Sequence, residues 1–271
     1  MLPGSGINYK IIGITKSSKT IKLALKAKAI NIGSTKLNSK ALKDVDLIFI
    51  CTPLHLIPIY LNKISKLKLK GNVIVTDVGS TKSEICKSAK KLCFIGGHPM
   101  AGTENAGFIA SRTNLFKNNA WVLTPIDKNP KTKNALKEIQ TIIKKIGAKP
   151  VITTPEKHDG AVALISHLPL LVSVGLCEVL KSTKDLELKN LAMSIASSGF
   201  RDTTRIASGN PQMNSNLLIS NLEKLKLFMP GYFNKLNENL KLAKSKPKIL
   251  VRKLKDISLW RRKLIRNRIS Y

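Results

Sequence analysis

The stretch Val73–Lys82, VIVTDVGSTK, carries the pattern that decides the fold of this chain. Its first half, Val73–Asp77, is rich in β-branched residues and predicts a short buried strand. A turn around a glycine follows, and helical spacing begins directly after it. We expect Ser80, or Thr81 together with Glu84, to cap that helix. A strand that passes through a tight turn into a helix is the βα unit of a parallel sheet, so this stretch predicts an α/β fold.

Short apolar runs alternate with lysine-rich helical patterns throughout the first half of the chain, which indicates a mostly parallel sheet. The predicted strands are Tyr9–Ile14, Leu47–Cys51, Val73–Asp77, Leu92–Ile95, Trp121–Thr124 and Pro150–Thr153. The predicted helices are Lys19–Ala29, Leu56–Leu67, Thr81–Lys91, Lys131–Ile146, Glu156–Lys181, Leu186–Ser197 and Gln212–Ala243. No strand pattern follows residue 153, so we predict an α/β domain over residues 1–153 and an all-helical domain over residues 154–271.

The chain of 271 residues carries a formal net charge of +31, which raises the question of a nucleic-acid partner. Its basic residues are spread along the whole sequence, and lysines outnumber arginines 39 to 8. Nucleic-acid readers concentrate basic side chains on one face and favour arginine, and an aromatic content of 5% leaves few rings for base stacking. We therefore expect no nucleic-acid partner. For the tail Lys241–Tyr271, with twelve basic residues and one acid, a frayed basic helix and a contact with an acidic partner both remain open.

The sequence also limits the cellular location and the metal chemistry. No apolar run reaches the length of about 18 residues that a membrane span needs, and the N-terminus lacks the apolar core of a secretory signal. We expect no membrane partner and a cytoplasmic protein, or one of the stroma of a plastid or a similar organelle. The four cysteines show no metal-ligand spacing, so we expect no metal and buried free thiols, with Cys51 in a strand and Cys177 in a helix.

Three short motifs lie where predicted strands end, and ligands of open parallel sheets bind beyond the carboxyl ends of the strands. The motifs are Cys51-Thr52-Pro53, Asp77-Val78-Gly79-Ser80-Thr81-Lys82 and Gly96-Gly97-His98-Pro99-Met100-Ala101-Gly102-Thr103-Glu104. We expect them to form one crevice that presents the hydroxyl of Ser80 and the imidazole of His98. A histidine with an ordinary pKa of about 6.5 exchanges a proton near neutral pH, and the alternative is a loop histidine that stacks on a neighbour.

The helical half offers two further groups. His167 lies in an apolar helical stretch just before a proline, where it is either a ligand contact or a core histidine bonded to a backbone carbonyl. Arg201 and Arg205 are four residues apart and share a face if the segment is helical. Guanidinium groups bind carboxylates through two parallel hydrogen bonds. Because Asp202 can neutralise one arginine, we favour Arg205 as the one that faces a ligand.

Five segments resemble, in order, those of the prephenate/arogenate dehydrogenase family, and most of all its cyanobacterial and plant-like arogenate dehydrogenases. They are CTPLHLI (51–57), VTDVGSTK (75–82), FIGGHPMAGTENAG (94–107), ISHLP (165–169) and SSGFRDTTRIASGNP (197–211). The resemblance runs from about Tyr9 to Asn221, and GGHPMAGTE and GFRDTTR are long and specific. It implies a Rossmann-like dinucleotide-binding domain over residues 1–153 and an all-α domain over residues 154–271 that binds substrate and forms a homodimer.

The resemblance also implies an enzyme of tyrosine biosynthesis that oxidatively decarboxylates a cyclohexadienyl substrate. His98 matches the catalytic histidine that hydrogen-bonds the ring 4-hydroxyl and takes its proton, and Ser80 matches the serine near the same hydroxyl. Arg205 matches the arginine that holds a substrate carboxylate, and His167 matches a second histidine near the substrate. Further substrate contacts are expected at Arg201, Gly102 and Thr103.

A nicotinamide dinucleotide is expected at the turn after the strand Tyr9–Ile14 and at the first two of the three motifs. The expected contacts are Thr15, Lys16, Ser17, Ser18, Cys51, Thr52, Pro53, Asp77 and Gly79. The turn Thr15–Ser18 has no acid to bind a ribose 2′-hydroxyl, whereas its lysine and serines can meet a 2′-phosphate. NADP is therefore favoured over NAD.

The resemblance has one gap, at the N-terminus. The strand Tyr9–Ile14 matches the family's second strand, and only a short segment with Gly4-Ser5-Gly6 precedes it. The first strand and the loop G-x-G-x-x-G are therefore expected to be missing. Three explanations remain open: a true start upstream of Met1, a decayed chain without activity, and a remodelled sheet that binds the cofactor weakly. The sequence thus predicts an NADP-dependent arogenate or prephenate dehydrogenase, with a non-catalytic relic or binding protein as the alternative.

Overall fold

The computed structural model describes residues 9–89, 91–102 and 107–269, with side chains through residue 266. The first half of the chain contains two sheets. Strands β1 (Ile12–Ile14) and β2 (Ile32–Ser34) form a parallel pair, and helix α1 (Ser18–Lys26) connects them. The sequence pattern misses β2, because Ile-Gly-Ser is too short to show a period and glycine is a poor strand former.

The second sheet has five strands in the order β3-β4-β5-β6-β7. The strands are β3 (Leu47–Ile50), β4 (Ile74–Asp77), β5 (Cys93–Pro99), β6 (Ala120–Pro125) and β7 (Lys149–Ile152). Neighbouring strands are parallel except β5 and β6, which are antiparallel. The connecting helices are α2 (Ile57–Ser65), α3 (Ser83–Ser88) and α4 (Pro130–Lys145). Strand β5 continues past its predicted end, so the two glycines expected in a turn lie inside the sheet.

Helices cover both faces of this sheet, which is the Rossmann-like α/β arrangement that the sequence predicts. Ile74 and Val75 are consecutive in β4, so their side chains point to opposite faces. Val75 packs in a core with Leu61 of α2, and Ile74 packs in a second core with Ile139 of α4. Because β4 is buried on both faces, the residues at its start form a continuous apolar run in the sequence and do not alternate with polar ones.

The two sheets are separate among the described residues. Strand β1 pairs only with β2, and β3 pairs only with β4, within the part of the chain that the structure describes. The prediction of a missing first strand and glycine-rich loop concerns residues 1–8, including Gly4-Ser5-Gly6, which lie outside the described residues.

From Pro155 onward the described chain is helical, as predicted. Helix α5 (Pro155–Val162) continues through a π-helical turn (Ala163–His167) into α6 (Leu168–Ser182). The π turn lies directly before Pro169, which has no N–H to donate to the preceding turn. The remaining helices are α7 (Leu186–Ser194), α8 (Ser198–Thr204), α9 (Pro211–Ser220), α10 (Leu222–Ser245) and α11 (Pro247–Ile269), with a 3₁₀ turn at Arg205–Ser208.

Two local predictions are wrong, and one is confirmed. The helix expected over Gln212–Ala243 breaks at Asn221, because the Asn221 side chain turns inward and donates to the backbone oxygen of Asp159 at 2.8 Å. The basic tail forms α11, a helix of 23 residues, as its helical alternative predicts. The free thiols are not all buried: Cys51 lies beyond the end of β3 and is exposed, and Cys86 is the buried one.

Among the described residues, one helical stretch, Pro155–Ser182, is long and apolar enough by length and composition to cross a membrane. Serine, histidine and proline interrupt its apolar residues, which is why the sequence shows no unbroken run. The stretch also carries His158, Asp159 and His167, whose side chains are buried in the protein. These polar contacts tie the stretch to the interior of the molecule.

Candidate active site

His98 lies near the carboxyl end of β5, where two glycines bring the strand close to its surroundings. A Cβ atom on Gly97 would lie 2.4 Å from the backbone oxygen of Asp77, and one on Gly96 would lie 2.3 Å from Oγ1 of Thr124. A larger residue at either position would clash, so the glycines serve close packing and not a turn. This packing leaves the His98 side chain half-buried at the end of the strand.

The His98 imidazole is held by a chain of hydrogen bonds that reaches into the helical half. Its Nδ1 atom lies 2.8 Å from Nε2 of His158, and the two rings meet edge to face. Nδ1 of His158 lies 2.8 Å from Oδ1 of Asp159. His158 and Asp159 are 2% and 3% exposed, so α5 buries both against the α/β half. The His98 Nε2 atom makes no hydrogen bond to the described residues and is the ring nitrogen left for a ligand.

Asp159, in the helical half, also hydrogen-bonds the N-terminus of α3 in the α/β half. Its Oδ1 accepts a hydrogen bond from the backbone N–H of Lys82 at 2.7 Å, and its Oδ2 accepts one from Ser83 at 2.8 Å. A carboxylate is favourable there, because the first N–H groups of a helix have no partner within the helix. The predicted cap by Ser80 or Thr81 is therefore wrong. Ser80 instead lies half-buried in the turn between β4 and α3.

A buried ion pair lies beneath this turn. Nζ of Lys82 is fully buried and donates to Asp77 and, at 2.7 Å, to the backbone oxygen of Gly97. The Asp77 carboxylate also accepts from the backbone N–H groups of Gly79 at 2.8 Å and Gly97 at 3.0 Å. Asp77 therefore shapes the turn that carries Ser80. Its predicted contact with a cofactor is at most indirect, because the carboxylate is occupied by these three groups.

The surroundings of His98 keep it neutral. Burial, followed by the positive charges possible on His158, Lys82 and His167, lowers the pKa of His98 from 6.5 to about 3. Burial also lowers the pKa of His167. At neutral pH the His98 ring therefore carries an unprotonated nitrogen, as a general base requires.

This shift predicts that acid destabilises the protein. Between pH 6.5 and about 3 the unfolded chain binds a proton at His98 that the folded chain does not bind, so the free energy of unfolding falls as the pH falls. One such histidine contributes about 1.4 kcal/mol per pH unit inside that window. Urea unfolding between pH 7 and pH 5 measures the slope, and His98→Asn is expected to flatten it by about one proton. If the free energy of unfolding changes with pH equally in the natural chain and in His98→Asn, the neutral state of His98 is contradicted.

The predicted substrate residues of the helical half take different positions. His167 is buried, and its Nδ1 lies 3.1 Å from Nδ2 of Asn221. The structure thus favours the core alternative for His167, with an amide in place of the expected carbonyl. Arg201 pairs with Asp202 at 2.9 Å, as the sequence suggests. Arg205 is exposed and begins the turn that follows α8, so the two arginines do not share one α-helix.

Two more predicted substrate contacts belong to the segment after β5. Gly102 is exposed at the last described position before the gap at residues 103–106. Thr103 lies outside the described residues. The structure therefore places Gly102 next to the strand that carries His98 and leaves Thr103 as a prediction.

The predicted cofactor turn after β1 is formed as expected. Thr15, Lys16 and Ser17 lie between β1 and α1, and Ser18 is the first residue of α1. Oγ of Ser17 caps the helix by accepting from the backbone N–H of Thr20 at 3.1 Å. The side chains of Lys16 and Ser18 are exposed beside this helix N-terminus, an arrangement that suits a phosphate group.

The other predicted cofactor residues follow β3 and β4. Thr52 lies between the exposed residues Cys51 and Pro53, and its Oγ1 atom is buried without a hydrogen-bond partner among the described residues. Buried polar atoms normally have partners, so this hydroxyl fits a contact with a bound ligand. At Gly79, a Cβ atom would lie 2.8 Å from Oδ2 of Asp77 and 2.8 Å from the Cδ1 atoms of Ile57 and Ile85, so a larger residue would force these side chains to move. These residues fit a dinucleotide lying across the ends of the strands.

Sequence reasoning missed His158, Asp159 and the buried Lys82, although these residues hold the site together. They are far from His98 in the sequence, and nothing in the pattern reveals how α5 meets the sheet. A usable signal was present: a histidine and an aspartate are adjacent in the first turns of α5, directly after the domain boundary. Ionisable residues at that place need a partner from the other half if the helix packs there.

Comparison with known proteins gives the same two-part organisation. The family model for the prephenate dehydrogenase nucleotide-binding domain matches residues 1–152, and that for the prephenate dehydrogenase dimerization domain matches residues 154–255. Synechocystis arogenate dehydrogenase is 34% identical, with a TM-score of 0.83 over 93% of this chain and 90% of that chain. Prephenate dehydrogenase from Aquifex aeolicus, in complex with hydroxyphenyl propionate and NAD+, is 29% identical, with a TM-score of 0.87 over 96% of this chain and 91% of that chain.

A curated relative, the prephenate dehydrogenase of Bacillus subtilis, is 33% identical over 80% of this chain and 58% of its own length. That of Lactococcus lactis is 34% identical over 68% of this chain and 51% of its own length. The chain thus spans little more than half of these two relatives. By its domains it is of the class that joins a nucleotide-binding domain to a dimerization domain. It belongs to the prephenate/arogenate dehydrogenase family, as the five sequence segments indicate.

Proposed function

We propose that this chain is an NADP-dependent dehydrogenase of arogenate or prephenate that acts in tyrosine biosynthesis. The observation that carries the proposal is the neutral His98, held at Nδ1 by His158 at 2.8 Å with Nε2 left for a ligand. Relatives named prephenate and arogenate dehydrogenases support the substrate class. A relative solved with NAD+ supports a nicotinamide cofactor.

In the proposed reaction, Nε2 of His98 takes the proton of the ring 4-hydroxyl while hydride leaves the same carbon. A bound nicotinamide cofactor supplies the hydride acceptor. The bond between the ring and its carboxylate then breaks, carbon dioxide leaves, and the bonding electron pair completes the aromatic ring. His98 returns its proton to the phenol oxygen, so the histidine is regenerated. Ser80 is proposed to hydrogen-bond the reacting hydroxyl, and Arg205 to hold a substrate carboxylate.

The choice of NADP over NAD rests on the turn between β1 and α1. Lys16 and Ser18 are exposed there, and no acidic residue competes for a ribose 2′-hydroxyl. An anion at this place gains from a cation and from the unpaired N–H groups at the start of a helix. These features suit a ribose 2′-phosphate.

Replacing Lys16 with alanine is expected to weaken NADP binding about tenfold, because one charge-assisted contact is worth about 1–2 kcal/mol. Binding of NAD is expected to change much less. Calorimetric titration of both cofactors measures the two effects. Lys22→Ala, which removes an exposed lysine of α1, the helix that follows Lys16, is the matched control and should leave both affinities unchanged. If Lys16→Ala lowers the affinities for NAD and NADP equally, the proposed contact between Lys16 and the 2′-phosphate is contradicted.

A turnover assay tests the proposed function directly. The full chain is incubated with arogenate or prephenate and with NADP or NAD, and reduced nicotinamide is followed by absorbance. Turnover with either substrate supports the enzyme, and the faster pair identifies the substrate and the cofactor. Absence of turnover together with absence of NADP binding would favour the alternative, a non-catalytic relic of the family.

We further propose a cytoplasmic homodimer, built from an α/β unit over residues 1–153 and a helical unit over residues 154–271. Support for the dimer comes from the match of residues 154–255 to a dimerization domain. Support also comes from exposed apolar side chains of the helical half, among them Val179, Leu186 and Trp260, each more than half exposed. Large exposed apolar side chains in such number are typical of an interface between proteins. A monomeric mass in light scattering would contradict the dimer.

A further inference from the structure

The hydrogen-bond chain behind His98 carries an inference about residues that the family resemblance leaves without a role. We propose that His158 and Asp159 are positioning residues that fix the tautomer and the orientation of the His98 ring. The inference rests on the proposed function, because it matters only if His98 acts as the base. Its evidence is the line of contacts from Asp159 to His158 at 2.8 Å and from His158 to His98 at 2.8 Å.

When His158 is neutral, the protons along this line have a single arrangement. An ionised carboxylate only accepts hydrogen bonds, so His158 must carry its proton on Nδ1, which faces Asp159. A neutral His158 then has an unprotonated Nε2, which accepts from His98. The proton of His98 therefore sits on Nδ1, and the lone pair sits on Nε2. This is the tautomer in which the nitrogen left for a ligand is basic.

The hydrogen bond from Nδ1 of His158 to Asp159 is maintained because Asp159 stays ionised. Burial alone would raise its pKa, but hydrogen bonds from His158, from Ser83 and from the backbone of Lys82 hold the pKa below its ordinary value. The carboxylate accepts from Lys82 N at 2.7 Å and Ser83 N at 2.8 Å, so its orientation is fixed by α3. The hydrogen-bond chain therefore begins at the Asp159 carboxylate, whose position is fixed by two backbone N–H groups.

The other charged groups around His98 favour the same state. The Lys82 ammonium, buried with Asp77, disfavours a second positive charge on His98. His167 and His158 act in the same direction, and Asp159 opposes them. Together these groups keep His98 neutral in the free protein, so the position of its one ring proton decides whether Nε2 can accept another.

Two substitutions at His158 separate positioning from packing. Glutamine can accept from His98 through its oxygen and donate to Asp159 through its nitrogen, so His158→Gln keeps both hydrogen bonds. Leucine fills a similar volume and makes neither. We expect His158→Leu to lower kcat about 10–100-fold with little change in KM, and His158→Gln to stay within about threefold of the natural chain.

Thr154→Ala is the matched structural control. Thr154 caps α5 by accepting from the backbone N–H of Lys157 at 3.3 Å, so its loss weakens the same helix without touching the line of hydrogen bonds. The expected kcat of Thr154→Ala is that of the natural chain. If Thr154→Ala and His158→Leu lose activity equally, the role of His158 is packing, and the proposal is overturned.

Nitrogen NMR of the ¹⁵N-histidine-labelled chain reads the tautomer without turnover. The His98 ring signals are assigned by their loss in His98→Asn. We expect the Nδ1–H form in the natural chain and in His158→Gln, and a shift toward the Nε2–H form, which dominates in free histidine, in His158→Leu. An Nε2–H form in the natural chain overturns the proposal even if His158→Leu fails to fold. A chain that shows the Nδ1–H form but no turnover would refute the proposed enzyme and leave the positioning intact.

Discussion

Turnover of arogenate or prephenate is expected to fall by about three orders of magnitude when His98 is replaced by asparagine. General-base catalysis contributes about 10²–10⁴-fold, and asparagine has no group that takes up a proton at neutral pH. Its side-chain amide can still donate to Nε2 of His158, which lies 2.8 Å from the ring it replaces, so the surrounding geometry is expected to survive. The affinity for substrate should therefore change by less than about threefold, the pattern of a group that acts in the transition state.

Initial rates with saturating NADP measure kcat, and calorimetry with the substrate alone or with NADP measures binding. His55→Asn is a suitable control, because His55 is an exposed histidine whose hydrogen bond goes to Asn216 at 3.1 Å. Its turnover is expected to match that of the natural chain. A His98→Asn chain that keeps more than about a tenth of the natural kcat would remove His98 from the role of base.

The α/β organisation is predictable from the sequence because two inner strands of the central sheet, β4 and β5, are buried on both faces. Strands such as β4 and the start of β5 show this burial as runs of β-branched and aromatic residues. The prediction fails where local signals are weak or ambiguous. Strand β2 has three residues, too few for a period, and Gly96 and Gly97 suggest a turn although their role is close packing inside the sheet.

The candidate site is only half predictable, for a related reason. Ser80 and His98 stand at strand ends, and the rule for open sheets places such residues at one edge. His158 and Asp159 belong to a helix whose placement against that edge depends on packing between the two halves. Their contacts join residues 60 or more positions apart, a separation over which local patterns carry no information.

The structure also changes the meaning of the VGSTK turn. The sequence suggests that its polar residues cap α3 and that Asp77 meets a cofactor. Instead Asp159 caps α3 from the helical half, and Asp77 is occupied by Lys82 and two backbone N–H groups. The carboxylates of Asp77 and Asp159 therefore both hydrogen-bond this turn. Lys82, which is buried, contacts both carboxylates, because it bonds to Asp159 through its backbone N–H and to Asp77 through its ammonium group.

Replacing Lys82 with methionine is expected to lower the free energy of unfolding by about 3–5 kcal/mol, the typical loss when one member of a buried ion pair is removed. Lys82 and Asp77 are both fully buried, so the Asp77 carboxylate would remain in the core without its counter-charge. Urea unfolding measures the change, followed by the fluorescence of Trp121 in the α/β core and by the circular dichroism of the helices. Lys87→Met, at an exposed lysine of α3, the helix that follows Lys82, is expected to change stability by less than about 0.5 kcal/mol.

A second substitution shows whether the loss comes from the unpaired charge. Asp77→Asn removes that charge, and its side-chain oxygen still accepts from one of the two backbone N–H groups of Gly79 and Gly97. The double variant Lys82→Met with Asp77→Asn is therefore expected to be more stable than Lys82→Met alone, by about 1–2 kcal/mol, because neutral polar groups, one N–H and the Gly97 carbonyl, then replace the unpaired charge as the defect. If the decreases in the free energy of unfolding caused by Lys82→Met and by Asp77→Asn simply add in the double variant, the unpaired charge of Asp77 is not the cause. The contribution of Lys82 then lies in the packing of its buried side chain against β5.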